Sequence, residues 1–418
     1  MVSLQKFVEC LMYIVWIFGY AQCQVSRPKT FQQIIRETSM FNAGNFVIRY
    51  PGKSNARLQP RISISMPFPC KNFTEAGIGR SLSRPTTVHR LRPGDIDVIG
   101  AMGDSLVAGN GALEEFAMGT MIENRGVSWC AGGESTWRQY ITLPNILKEF
   151  NPNLRGYSTG TGEFLSAKAK LNVAFPVAAD ADALRQAKFL VKKMIEDPNI
   201  NIQEDWKMIT IFFGANDICS AQCFDPIEAS ASSHALKLMR ALDYLYSKLP
   251  RVFVNLIPVL DVSVSIRIKR TMTCRFFHTL FCTCFHRGRK PLDIITNLTQ
   301  EYQKEEENLI FSGRYDQRDD FTVVIQPFMK LFNAPEDPSR RLDEVIDISY
   351  ITHDCFHFSQ KGHALAANML WNNLLQPVSL KSQRKLNYIL EKFECPKSNA
   401  PYLFTYKNSK SYFNTGFQ

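Results

Sequence analysis

The sequence predicts an α/β fold, a three-layer α/β/α architecture built on a parallel sheet. Apolar runs of strand length recur at residues 96–101, 206–213, 251–259 and 321–328, and segments of helical periodicity separate or follow them. Strands that alternate with helices need crossover connections, and these cover both faces of a parallel sheet. With 418 residues and 45% hydrophobic content, the chain can bury a sizeable core, and it shows no internal repeats or low-complexity tracts.

The elements follow in order. Lys6 and the mostly apolar stretch 7–21 read as a signal peptide, residues 1–21, ending near Gly19-Tyr20-Ala21; Glu9 interrupts the run, which falls short of the ~20 apolar residues that span a bilayer. Residues 22–90 read as an N-terminal extension packing on the main domain, with a short helix over 31–38 and proline joints at Pro67 and Pro69. The main domain is expected over 91–395 and a C-terminal tail over 396–418. Within the domain, Ala183, Leu184, Ala187, Leu190, Val191 and Met194 recur at helical spacing, and residues 235–249 and 362–375 read as two more helices.

The strand at 96–101 runs into Met102-Gly103-Asp104-Ser105-Leu106, which places a serine hydroxyl where a strand ends. In open parallel sheets reactive groups gather outside the carboxyl ends of the strands. A second strand ends in Gly214-Ala215-Asn216-Asp217, and Asp354-Cys355-Phe356-His357 puts a carboxylate three residues before an imidazole. A serine is a poor nucleophile until a base takes its proton, and a carboxylate improves the base by fixing its tautomer and stabilising the imidazolium. Asn216 carries amide hydrogens suited to an oxyanion, worth roughly 3 kcal/mol per donor.

The motifs GDSL, GAND and DCFH, in the order Ser105, Asn216, Asp354, His357, resemble the SGNH or GDSL hydrolases. Longer phrases resemble their phospholipase B branch: 85–106, 143–162, 205–219, 354–363 and 395–409, so the likeness spans most of residues 60–410. The resemblance implies the SGNH hydrolase fold, with Ser105 as nucleophile, His357 as base, Asp354 as its orienter, and Ser105, Val177 and Asn216 around the oxyanion. It further implies a secreted ester hydrolase that cleaves fatty-acyl esters of glycerophospholipids or lysophospholipids through an acyl-enzyme on Ser105, with no metal or organic cofactor. Two other readings stay open: an esterase for neutral acyl esters, and a catalytically weak lipid-binding protein.

One position departs from the family phrase. In Asn172-Val173-Ala174-Phe175-Pro176-Val177-Ala178, Val177 stands where a glycine is expected. Its N–H survives the change, while the β-branched side chain restricts φ and is expected to crowd the acyl pocket.

Other motifs compete with this reading. Gly156-Tyr157-Ser158-Thr159-Gly160 matches G-x-S-x-G literally, but it follows a turn-rich stretch and lacks the strand that such an elbow requires. His353, His357 and His363 offer imidazoles without the companion carboxylates or cysteines of a closed zinc site. Cys274, His278, Cys282, Cys284 and His286 offer a second zinc reading, for which disulfides are the commoner outcome in an oxidising compartment. Removal of a leader with Cys10 leaves ten cysteines, an even number that suits disulfides, with Cys219 and Cys223 placed to close a small loop beside Asn216. Asn72-Phe73-Thr74 and Asn297-Leu298-Thr299 are glycosylation acceptors if the chain is exported.

The net charge is +10, and the stretch 267–290 holds Arg267, Lys269, Arg270, Arg275, Arg287, Arg289 and Lys290 with no acidic residue, interleaved with Phe276, Phe277, Phe281 and Phe285. This pattern fits peripheral contact with an anionic membrane surface, and equally a cysteine-tied loop whose phenylalanines pack inward. No nucleic-acid-binding motif accompanies the charge.

Overall fold

Four strands form one parallel sheet in the order β1-β2-β3-β4: β1 Ile96–Gly103, β2 Trp206–Phe212, β3 Val252–Leu256 and β4 Phe321–Ile325. The computed structural model describes residues 56–414 except 76, 268–271, 283, 285–291, 335–346 and 385, all within the unit Ile48–Gln418. The signal peptide, the helix expected over 31–38, Cys10 and Cys23 lie outside the described residues.

Every residue of the four strands is buried, as expected of a parallel sheet covered on both faces. Successive side chains divide between two cores: Ile99, Ala101, Met208 and Phe253 face one, and Val98, Met102, Ile209 and Val254 face the other. In chain order the helices are α1 Ser105–Ala108, α2 Leu143–Leu147, α3 Ala183–Glu196, α4 Ala231–Lys248, α5 Val262–Arg267, α6 Met272–Phe281, α7 Leu292–Phe311, α8 Gln360–Leu374 and α9 Tyr406–Asn414. From α3 and α4, Leu190, Met194, Leu238 and Leu242 pack on the second face. From α2 and α8, Ile146, Leu147, Leu370 and Trp371 pack on the first. This is the three-layer α/β/α fold.

Local chemistry sets the helix starts. Ser230 accepts from the Ser233 N–H before α4, and Ser359 accepts from the Gly362 N–H before α8. Register places Gly103 opposite Phe212, Ile211 opposite Leu256, and Leu256 opposite Ile325, so the carboxyl ends of all four strands open onto the same edge. The far side of β1 carries single parallel bridges to Arg155 and Asn172 rather than a full strand.

The segments flanking the sheet are tied to the first core. Phe68 packs edge-on against Trp137, Phe150 and Phe393, and Cys70 is bonded to Cys395. The Leu403 N–H donates to Leu91 O at 2.7 Å.

Candidate active site

Gly103 ends β1 with its Cα pressed against β2, where a Cβ would lie 2.5 Å from Phe212 O and 2.6 Å from Val107 Cγ2. Only glycine fits this exit. Asp104 then caps α1 by accepting from the Leu106 N–H at 2.9 Å, and Ser105 becomes the first residue of the helix, 6% exposed. Burial pushes the Asp104 carboxyl up to about 7, against the lowering effects of the Leu106 N–H and His357.

The loop before α8 supplies the other two groups. Ser105 Oγ lies 2.8 Å from His357 Nε2, and His357 Nδ1 lies 2.5 Å from Asp354 Oδ2. With Nδ1–H donating to the carboxylate, Nε2 is free to accept the serine proton. The other Asp354 oxygen accepts from the Phe356 and His357 N–H groups, at 2.9 and 3.1 Å, and from the Thr352 hydroxyl. Burial works to raise the Asp354 pKa; the His357 imidazole, the Thr352 hydroxyl and the Phe356 N–H outweigh it and hold the carboxyl at about 2. The loop turns through Cys355 at φ +61°, and Cys355 is bonded to Cys274 on α6.

Asn216 follows β2, and its Nδ2 donates to Ala178 O at 3.0 Å. An amide nitrogen carries two hydrogens, so this bond orients the side chain and leaves one for another acceptor. The adjacent segment is held from below by Arg125, fully buried, which donates to Asn172 O at 3.0 Å, Ala174 O at 2.6 Å and the Glu123 carboxylate.

Val177 shows its β-branched character in the backbone. The residue is 77% exposed, with no close packing around it, and its backbone sits at φ +62°. Glycine adopts that conformation freely and valine does not.

The structure also separates the competing motifs. Ser158 is fully buried, and its single hydroxyl hydrogen is shared between Arg125 O and Ala131 O, at 2.8 and 3.1 Å, so it is a packing residue. His363 accepts from the Trp129 N–H at 3.3 Å, and burial pushes its pKa down to about 3. His353 lies 3.5 Å from Arg57 Nη1, and burial followed by the Arg57 charge lowers its pKa. No metal-binding group of three or more His, Cys, Asp or Glu occurs among the described residues.

Cysteine pairing corrects one expectation. Cys219 and Cys223 do not close a loop on each other; they bond to Cys282 and Cys284. With Cys274 on Cys355, the sulfurs of the zinc reading are all consumed in disulfides and cannot serve as thiolate ligands. Cys130 is free and buried, with its thiol pKa pushed up by that burial. These links hold α6 over the site: the Phe281 ring stands edge-on to His357 at 5.7 Å, and a His278 ring nitrogen lies 3.2 Å from Cys355 O. Sequence reasoning missed α6 and its role as a cover; the alternation of cysteines with phenylalanines over 274–285 was the available signal. Phe277 packs inward while Phe276 is half exposed, so the segment is cysteine-tied and also presents an aromatic face. Lys269, Arg270, Phe285, His286, Arg287, Arg289 and Lys290 lie outside the described residues.

Comparison with known proteins agrees with this arrangement. A family model described as GDSL-like Lipase/Acylhydrolase matches residues 99–370. The chain is 40% identical over 361 residues to mouse "Phospholipase B1, membrane-associated", covering 84% of this chain and 24% of that protein. It is 42% identical over 334 residues to the human protein of the same name, covering 78% of this chain and 22% of that protein. The rat counterpart is also 42% identical, over 335 residues covering 78% of this chain and 23% of the relative. The chain thus spans about a quarter of the length of these curated relatives. On the matched residues and the strand-turn-helix that presents Ser105, the chain belongs to the GDSL-like lipase/acylhydrolase family.

Proposed function

We propose that the protein is a serine ester hydrolase that cleaves fatty-acyl esters of glycerophospholipids or lysophospholipids. The observation that carries this reading is the hydrogen-bonded chain Ser105 Oγ to His357 Nε2 and His357 Nδ1 to Asp354 Oδ2, at 2.8 and 2.5 Å. The substrate class rests on the 40–42% identity to proteins named phospholipase B1.

In this mechanism Ser105 Oγ attacks the ester carbonyl while His357 Nε2 takes its proton, and Asp354 stabilises the imidazolium. The Ser105 and Val177 N–H groups and the second Asn216 amide hydrogen receive the oxyanion. Neither backbone N–H donates to a protein acceptor among the described residues. His357 returns the proton to the leaving alcohol. Water then gives a proton to His357 and adds to the acyl carbon; as the bond to Ser105 Oγ breaks, His357 returns that proton to the serine and the fatty acid is released.

The reading extends to location. Four disulfides suit an exported chain, and signal-peptide removal, the domain limits 22–90, 91–395 and 396–418, and glycosylation at Asn72 and Asn297 belong to the same proposal. Among the described residues no helix is long and apolar enough to cross a membrane. Met272, Phe276 and Ile227 are exposed apolar groups, with Arg275 exposed between the first two, on segments bonded to the catalytic loop and the Asn216 loop. Together with the basic stretch 267–290 they suit peripheral contact with an anionic lipid surface.

Turnover of lysophosphatidylcholine, phosphatidylcholine, triacylglycerol and p-nitrophenyl butyrate by wild type and Ser105→Ala tests the reading. Wild type is expected to favour the phospholipids and the variant to lose all four activities. Preference for triacylglycerol or the small ester would favour a neutral esterase, and lipid binding without turnover a binding protein. Met272→Ser/Phe276→Ser is expected to weaken binding to phosphatidylserine-containing vesicles while leaving p-nitrophenyl butyrate turnover intact.

A further inference from the structure

Beneath the loops that carry Val177 and Asn216 lies a buried group of charges that the mechanism does not use. His234, on α4, is fully buried, with Nδ1 3.1 Å from Asp180 Oδ2 and Nε2 3.2 Å from Glu306 Oε1. Its ring stacks on Tyr302 of α7 with centroids 4.2 Å apart. Lys237, one turn further along α4, places Nζ 2.9 Å from Asp180 Oδ1. Glu306 Oε2 accepts from the Val259 N–H at 3.3 Å after β3, which closes the network against the sheet.

Two bonds connect this group to the oxyanion loops. The Asp180 N–H donates to Asp217 Oδ2 at 3.0 Å, and the next residue back, Asn216, donates to Ala178 O. Residues 216–217 and 178–180 are therefore laced together, with the Asp180 carboxylate anchored from below by His234 and Lys237. Contact is also direct: a Cβ on Gly214, where the Asn216 loop begins at φ +113°, would lie 3.2 Å from His234 Cε1 and 3.3 Å from Tyr302 Cδ2. The loop rests on the imidazole.

Stability is a weak reason for such an arrangement. Desolvating several ions costs as much as their attraction returns, and apolar replacements of like volume are often neutral or stabilising. What the network supplies that an apolar core cannot is fixed direction, since each hydrogen bond defines the position of a loop atom.

We propose that His234 is a positioning residue for the oxyanion site, holding the 178–180 and 214–217 loops in the register that aims the free Asn216 amide hydrogen. The proposal rests on the reading that Asn216 receives the oxyanion. It assigns His234 no contact with substrate, so its removal should lower kcat and leave KM nearly unchanged.

A double-mutant cycle tests this with His234→Gln, Asn216→Ala and the combined variant, each assayed for kcat and KM on p-nitrophenyl butyrate. His234→Gln is expected to lower kcat roughly tenfold or more with KM within about twofold, and to cost less than about twofold when Asn216 is already alanine. An equal loss in both backgrounds would overturn the proposal, because His234 would then act independently of the amide, as would an unchanged kcat in His234→Gln. Full activity in Asn216→Ala alone would instead overturn the oxyanion reading and the proposal with it. If His234→Gln does not fold, Lys237→Met, at the partly accessible edge of the network, decides the question in the same cycle: a smaller kcat loss that disappears with Asn216→Ala supports the proposal, and an additive or absent loss overturns it.

Discussion

His357 reaches Asp354, its neighbour three residues back, at 2.5 Å, while the opposite edge of the same imidazole reaches Ser105, 252 residues away in sequence, at 2.8 Å. The short-range half of this relationship is a property of one loop: Asp354 accepts from the loop's own Phe356 and His357 N–H groups, so the carboxylate is fixed before it meets the imidazole. The long-range half depends on the sheet, which brings the end of β1 to the loop before α8.

Replacing either end should therefore differ in degree. Ser105→Ala and His357→Ala are each expected to lower kcat by roughly 10⁴ to 10⁶, and Asp354→Asn by about 10⁴, since in the proposed mechanism Asp354 orients and stabilises the base without transferring the substrate proton. His353→Ala should stay close to wild type. Steady-state kinetics on one soluble ester, with circular dichroism as a check of folding, measure all four.

Asp354 also predicts a stability profile. Its folded pKa of about 2 lies below the ordinary 3.8, so its contribution is fully present above about pH 4 and is lost as pH falls through 2. The melting-temperature difference between wild type and Asp354→Asn should narrow on acidification through that window. His234 runs the other way. Burial acts to lower its pKa, but the bonds and charges of Asp180 and Glu306 raise it from 6.5 to about 9. Its contribution is present below pH 6.5 and lost as pH rises through 9. Lys237, Asp217 and Tyr302 face the same network; burial and then the Asp180 charge push Asp217 up to about 7, so its own effect is complete below the upper part of that range. Thermal melts from pH 6.5 to 10 should fall more steeply for wild type than for His234→Gln.

Val177 at φ +62° carries a backbone cost that glycine would not. Val177→Gly is expected to stabilise the protein by about 1 kcal/mol, the usual scale for a non-glycine residue in the left-handed region. Because the side chain is exposed, kcat/KM should change by the same factor on acetyl and long-chain esters. A gain confined to long acyl chains would restore the crowding idea, and a lower melting temperature would show the valine to be well fitted.

The Cys274–Cys355 bond closes a separation of 81 residues onto the loop that carries Asp354 and His357. Cys274→Ala/Cys355→Ala should lose up to roughly 4 kcal/mol in the chain-entropy view. It should also lose kcat, because Phe281 would no longer be held against His357. Denaturant unfolding and kinetics on the same preparation check both.

Much of this was legible in the sequence, for reasons that can be named. The strands were visible because both faces of a parallel sheet are buried, which makes continuous runs such as residues 206–213, and α3 was visible because its buried positions keep helical spacing. The serine, amide, carboxylate and imidazole were visible as motifs at strand ends and in one short loop. The disulfide partners were not, since Cys219 and Cys223 are separated from Cys282 and Cys284 by 63 and 61 residues and only the tertiary fold brings them together. His234, Glu306 and Arg125 were equally hidden: each sits in a sequence context that reads as an ordinary helix or loop, and only their burial and partners reveal what they hold. The departure at Val177 and its constraint on φ were visible in the sequence, but the exposure of the residue was not.

The measurement that bears most directly on the central claim is covalent labelling with a fluorophosphonate, followed by mass spectrometry of the digested protein. The account predicts one adduct, on Ser105, abolished in Ser105→Ala and much slowed in His357→Ala. An adduct on Ser158 or another serine, or hydrolysis that continues with Ser105 unlabelled, would contradict it.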